Sequence, residues 1–226
     1  MFPKKKWSNL FVVSVLALVL LAPQSAPAQG GSPSGVLGPA PLSALWWQWV
    51  LSIPASVNPL IDQTGANCGQ NQGVFSERVF FLSGTFNGFD ARTCTIPAGK
   101  ILFFPVLNAF WTCDFPAPAP CNYTVGQSRA IVASQTDQPL VLETTVDGVA
   151  IKNLGKNRTK SPVFSLDLAP DNLLGFPPGT YEPAVADGYY VLVNPLAPGP
   201  HVIHLKGVSS DGLFTTEVIY YLNVQP

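Results

Sequence analysis

Charge is what this chain has least of. Only 11% of its 226 residues are Asp, Glu, Lys or Arg, against about 25% in an ordinary globular protein. No basic stripe and no block of like charge occurs, so nucleic acid is not an expected partner. Histidine is almost missing, with His201 and His204 in "HVIHL" as the only two. On a strand, positions three apart point to opposite faces, so this pair cannot easily share a metal. No C-x-x-C, H-E-x-x-H, G-x-S-x-G, P-loop or EF-hand pattern occurs, which removes the local signatures of redox, zinc, serine-hydrolase, nucleotide and calcium chemistry. Neither a metal nor a cofactor is expected. A long apolar run is also lacking: Leu10–Ala22 has 13 residues, and a membrane-spanning helix needs about 20.

What that run does fit is a secretory signal. Lys4, Lys5 and Lys6 precede it and the small-x-small triplet Ala26-Pro27-Ala28 follows it, so residues 1–28 are expected to be a signal peptide cut after Ala28. The expected location is secreted or periplasmic, with no membrane attachment after cleavage. The remaining chain keeps 9 basic and 13 acidic residues, a net charge of about −4. It also keeps all four cysteines, Cys68, Cys94, Cys113 and Cys121. In an oxidising compartment an even, scattered count implies two disulfides. Three connectivities are open, and spacing favours Cys113–Cys121 around "CDFPAPAPC" with Cys68–Cys94 closing the longer loop.

Residues 29–40 are rich in Gly, Pro and Ser and suit a flexible leader. In "PLSALWWQWVLSIP", Leu42, Leu45, Trp46, Trp49, Val50 and Ile53 fall at helical spacing, with Pro41 suited to a first turn and Pro54 to a stop. A second short helix is expected over about Val125–Gln135, capped by Thr124. Elsewhere strand-like runs dominate: "RVFFLSGTF", "KILFFPVL", "PLVLETTVDGVAI", "PVFSLDL", "GYYVLV", "HVIHLKGV" and "LFTTEVIYYLNV". Asp147-Gly148 and Asp211-Gly212 suit hairpin turns. The expected fold class is mainly β, an antiparallel β-sandwich of immunoglobulin-like or jelly-roll-like type with an N-terminal amphipathic helix and one further short helix. Residues 41–226 would form one disulfide-stabilised domain, with a subdivision into 41–136 and 137–226 left open.

Several phrases together ("WWQWVLSIP", "RTCTIPAGKILFFPVLN" and "AVADGYYVLVNPLAPGPHVIHLKG" among them) carry a resemblance across about residues 45–207. The chain resembles a family of uncharacterised secreted proteins of environmental bacteria and archaea. The resemblance implies export and a shared architecture, and it brings no established activity or residue roles.

Candidate chemistry therefore comes from the residues alone. Polysaccharide hydrolysis needs two carboxylates, and Glu182 and Asp187 flank "PAVA" beside Tyr181, Tyr189 and Tyr190, an acidic and aromatic cluster. The competing reading makes Asp187-Gly188 a turn. If "GYYVLV" and "HVIHLKGV" form a hairpin around Asn194–Pro200, His204 falls opposite Tyr190, and Glu182, Asp187, Tyr190 and His204 become the candidate catalytic set. Each His also suits a purely structural place on a strand. Among the aromatics, Trp46 and Trp49 belong to the helix stripe, whereas Trp47 falls off it and suits contact with a sugar ring or a partner. Trp111, beside Cys113, is a second platform, and Tyr181 and Tyr189 complete the candidate binding set. These features favour a binding module for glycan or cell-envelope material. The alternatives are an extracellular polysaccharide hydrolase or lyase, and a structural component of a surface layer or fibre.

Overall fold

The computed structural model describes residues 37–226; the expected signal peptide and most of the expected leader lie outside them. Helix α1 (Pro39–Leu51) begins with prolines in its first turn, where a missing N–H is no loss. It is wider in its apolar contacts than the sequence stripe implied. Leu42, Trp46, Trp47, Trp49, Val50 and Leu51 are all buried, as expected of a helix apolar nearly all round. Asn58 secures its far end, where carbonyls lack helical partners. The Asn58 side-chain amide donates to the Val50 and Ile53 carbonyls at 2.7 and 3.1 Å, and its oxygen accepts from the Leu60 N–H at 3.0 Å.

Among the described residues, ten strands follow in two five-stranded sheets. The first holds β1 (Val79–Phe81), β3 (Ile101–Trp111), β8 (Gly179–Val193) and β6 (Arg158–Lys160) in that order, with β7 (Phe164–Leu168) also paired to β8. The second runs β2 (Phe89–Pro97), β10 (Thr215–Gln225), β9 (Gly199–Val208), β4 (Val141–Val146) and β5 (Val149–Ala150). Helix α2 (Val125–Thr136) lies between β3 and β4 in sequence and is opened by a capping box in which Thr124 and Gln127 exchange bonds. The mainly β sandwich with two helices is thus as expected. The orientations are mixed, because β1 pairs β3 and β2 pairs β10 in parallel. The β4–β5 turn places Asp147 and Gly148 at φ 50° and 77°, the left-handed pair a two-residue hairpin requires.

Alternation along β3 and β8 divides the interior into two cores. Ile101, Phe103 and Tyr190 face α1, whereas Leu102, Phe104, Val191 and Val193 face the second sheet. Helix α2 covers the same face as the second sheet, further along β3 and β8, so the layers run α1, first sheet, then second sheet plus α2. Cys68–Cys94 and Cys113–Cys121 are the two disulfides, as the spacing favoured.

Two expectations are corrected here. Asp187-Gly188 is no turn: both residues sit inside β8, flanked by β3 and β6. A Cβ on Gly188 would meet the Asn108 Cβ at 2.5 Å and the Leu107 carbonyl oxygen at 2.6 Å, so the glycine serves a close strand approach. Nor do "GYYVLV" and "HVIHLKGV" pair. They lie in different sheets, with β9 between β10 and β4 and His204 opposite Ile219 and Thr145.

Candidate functional site

The proposed catalytic four are not brought together. Tyr190 is buried facing α1 and stacks on Phe103 at 5.3 Å, while His204 lies on the second sheet, bonded to Glu217 at 2.9 Å. Glu182 is exposed on β8. Asp187 lies five residues further along, roughly 16 Å at the usual strand rise, where paired glycosidase carboxylates stand about 5–9.5 Å apart. Both Asp187 carboxylate oxygens are already engaged by Arg158, through Nε at 2.8 Å and Nη2 at 3.1 Å. The same guanidinium pairs with Asp137 and donates to Thr136 Oγ1 at 3.2 Å, so this cluster fastens the C-terminal end of α2 to β8. The hydrogen bond from Arg158 to Asp187 holds the guanidinium protonated more firmly than usual, against the opposing effect of burial.

The aromatic candidates are also relocated. Tyr181 is fully buried and donates to the Pro177 carbonyl at 2.9 Å. Tyr189 is buried beneath the Arg158 guanidinium, 5.9 Å from its ring centroid. Neither presents a ring face to solvent. Trp47 is only 4% exposed, its ring 4.8 Å from Trp46 and 4.4 Å from Phe110. Trp111 is half-buried against Tyr123 at 5.3 Å.

Trp47 and Trp111 nevertheless lead to the most site-like feature of the described residues. Trp47 lines a cleft of about 400 Å³ with Phe86, Asn108, Phe110, Leu213 and Phe214, a volume in the range of small-ligand pockets. Trp111 lines a smaller one of about 180 Å³ with Leu174 and Phe176. Phe110 lines both, so they meet on β3. Leu213, 88% exposed, and the half-exposed Phe86 form an apolar rim.

Asn108 places a polar side chain in the lining of the larger, mainly apolar cleft. Asn108 Nδ2 donates to the Tyr190 hydroxyl at 3.3 Å. The Trp47 indole N–H is buried and closes no hydrogen bond, although it lies near enough to Tyr190 to favour the phenolate slightly. Burial outweighs both neighbours and pushes the Tyr190 hydroxyl well above its ordinary value, so it stays protonated. Asn108, which sequence reasoning passed over, thus links β3 to Tyr190 in a cleft that Trp47 also lines. The available signal was its place as the polar interruption of "ILFFPVLNAFW".

The cleft exists because β1 ends early. It pairs only with Ile101–Phe103, and the chain then turns to the second sheet. Ser83 donates to the Tyr220 hydroxyl at 3.2 Å, and that hydroxyl donates back to the Ser83 carbonyl at 2.8 Å. Thr85 donates to Thr216 Oγ1 at 2.8 Å. Buried Arg92 completes the pull, reaching Ser83 Oγ at 2.9 Å and the Gly84 carbonyl at 3.0 Å while paired with Asp90 at 2.8 Å. With β1 drawn away, β3 beyond Phe103 meets no strand on that side among the described residues. No protein-family model, no curated protein and no solved structure matches the chain.

Proposed function

We propose that this chain is an exported binding module that holds an extended polymer, of glycan or cell-envelope origin, along the open edge of β3. The observation that carries the reading is the apolar cleft itself, with exposed Leu213 and Phe86 at its rim and a smaller aromatic cavity adjoining it at Phe110. Exposed apolar surface at a concave, strand-lined site is costly to keep in water without a ligand. The two disulfides suit an oxidising compartment outside the cytoplasm, which supports export. The resemblance to uncharacterised secreted proteins belongs to the same reading.

The test is calorimetric titration with cello-, chito- and xylo-hexaose and with short soluble peptides. Leu213→Asp adds charge at the rim at little cost to folding, and Ala109→Trp fills the cleft. A ligand that loses at least tenfold in affinity with either variant supports the site. A ligand that binds both variants as well as the parent overturns it.

A further inference from the structure

We infer that the occupant of this cleft is an extended polypeptide segment that pairs with β3 as an added strand, apolar or neutral in its middle and basic at its flanks. The inference rests on the binding-module reading above and narrows it to one polymer.

Backbone accounting supplies the first argument. Ala186 of β8 spends its backbone on the far side from β3: its carbonyl accepts from the Ser161 N–H at 2.9 Å, and its N–H donates to Ser161 Oγ at 2.8 Å. Strand residues alternate in the direction of their N–H and C=O groups, so Val185, Asp187 and Tyr189 turn theirs toward β3. Their opposite numbers are Trp111, Ala109 and Leu107. The residues between, Asn108 and Phe110, therefore aim their N–H and C=O at the open edge. Among the described residues no strand meets them there. Such a row of unpaired groups is a template for strand addition. Its donors and acceptors repeat about every 6.8 Å, two residues of strand, which is the repeat of another polypeptide backbone.

Shape supplies the second. A β-bulge between Pro105 and Leu107 shifts the register, turning Asn108 and Phe110 toward α1 and Leu107 and Ala109 toward the second sheet and α2. The cleft follows this alternation, with Trp47 on the α1 side and Gln135, Leu213 and Phe214 on the other. An added strand would send successive side chains to these two sides in turn. From Leu107 to Cys113 the run is about 20 Å, room for a peptide of some six residues. Trp47 itself presents almost no ring face for sugar stacking.

Charge supplies the third. Among the described residues, Asp211 is the one charged residue lining the larger cavity and Asp114 the one lining the smaller. They stand at opposite ends, with only neutral side chains between. Bonds from Ser209 Oγ and the Leu213 N–H hold the Asp211 carboxyl below its usual range, so it is ionised at neutral pH. A neutral stretch with Lys or Arg at each end complements that pattern.

The experiment uses residues 29–226, ¹⁵N-labelled, and a synthetic pool of end-blocked peptides with five apolar or Thr residues between two lysines. The tightest pool member is then remade with single N-methyl groups along its backbone and with glutamates in place of the lysines. The expected result is a bound peptide that slows amide exchange at Asn108 and Phe110 at least tenfold. N-methylation at alternate peptide positions should weaken binding at least tenfold while the intervening positions stay within twofold, and the glutamate version should bind more weakly. Binding that leaves exchange at Asn108 and Phe110 unchanged overturns the inference, as does the absence of any binder in the pool. A hexaose that binds and is lost in Leu213→Asp would overturn the strand and keep the binding module; failure of peptides and glycans alike would remove both.

Discussion

Asp187→Ala should be among the more damaging single changes available, and for structural reasons. The carboxylate side chain is 1% exposed and both its oxygens meet the Arg158 guanidinium. Breaking a buried pair by deleting one partner costs about 3–5 kcal/mol. Arg158 here is 27% exposed and keeps Asp137 and Thr136, so its charge is not stranded, and about 2–3 kcal/mol is the better figure. Asp137→Ala removes a partner that is 54% exposed and should cost no more than about 1 kcal/mol. Arg158→Ala leaves a buried carboxylate with only the more distant charge of Arg129 beside it and should cost about 3–5 kcal/mol. The assay is urea unfolding of the three variants and of the Asp187→Ala/Arg158→Ala double, whose loss should fall short of the summed singles. In melting temperature the Asp187→Ala loss corresponds to roughly 4–12 °C for a chain of this size. Amide exchange should accelerate first in α2, the element this cluster fastens and the wall that carries Gln135. An Asp187→Ala cost below about 1 kcal/mol, or no greater than that of Asp137→Ala, would mean that the buried pair does not fasten α2 to β8.

Three further outcomes follow from the geometry. Trp47→Ala should cost about 3–5 kcal/mol in urea unfolding, as a core aromatic does; a loss under about 1 kcal/mol would return Trp47 to the surface. His201 should titrate above 6.5 by proton NMR, because its bonds to Asp147 and the Ala197 carbonyl outweigh a partial burial that acts the other way. The sign is that of a raised cation: its stabilisation is full below the unfolded pKa of about 6.5 and is lost as pH rises through the folded value, and a midpoint below 6.5, unmoved by Asp147→Asn, would contradict it. Loop entropy ranks the disulfides: replacing Cys68 and Cys94 by Ser, 26 residues apart, should cost about 3.5 kcal/mol, and Cys113 with Cys121, 8 apart, about 2.5. The reverse order in urea unfolding would show that chain entropy does not govern them.

What could be read from the sequence was local. Pro41, the Trp spacing, the Thr124 cap and Asp147-Gly148 act within a few residues, and each appears where the pattern placed it. What could not be read depended on partners distant in sequence. Strand β2 alternates cleanly in burial, yet its inward positions include Asp90 and Arg92, and nothing local shows that Arg92 will also be met by Tyr220, 128 residues away. Asp187-Gly188 resembles a turn until Arg158 and Asn108 arrive from other strands. Trp47 looked exposed because a single helical stripe was assumed, whereas Phe110 covers the flank beside it. The candidate site was half visible: Trp47, Trp111 and Tyr190 were singled out for chemistry of their own, while Asn108, Phe110, Phe86 and Leu213 gain meaning only from an edge created by the departure of β1.

Ligand binding along the open edge of β3 is read out by chemical-shift mapping on the ¹⁵N-labelled protein with whichever hexaose or peptide raises its melting temperature most. The largest shifts should fall on Asn108, Ala109, Phe110, Leu213 and Phe214, with the Trp47 indole N–H shifting as its surroundings change. Shifts centred instead on Glu182 or on His204 and the outer face of the second sheet would contradict binding at that edge.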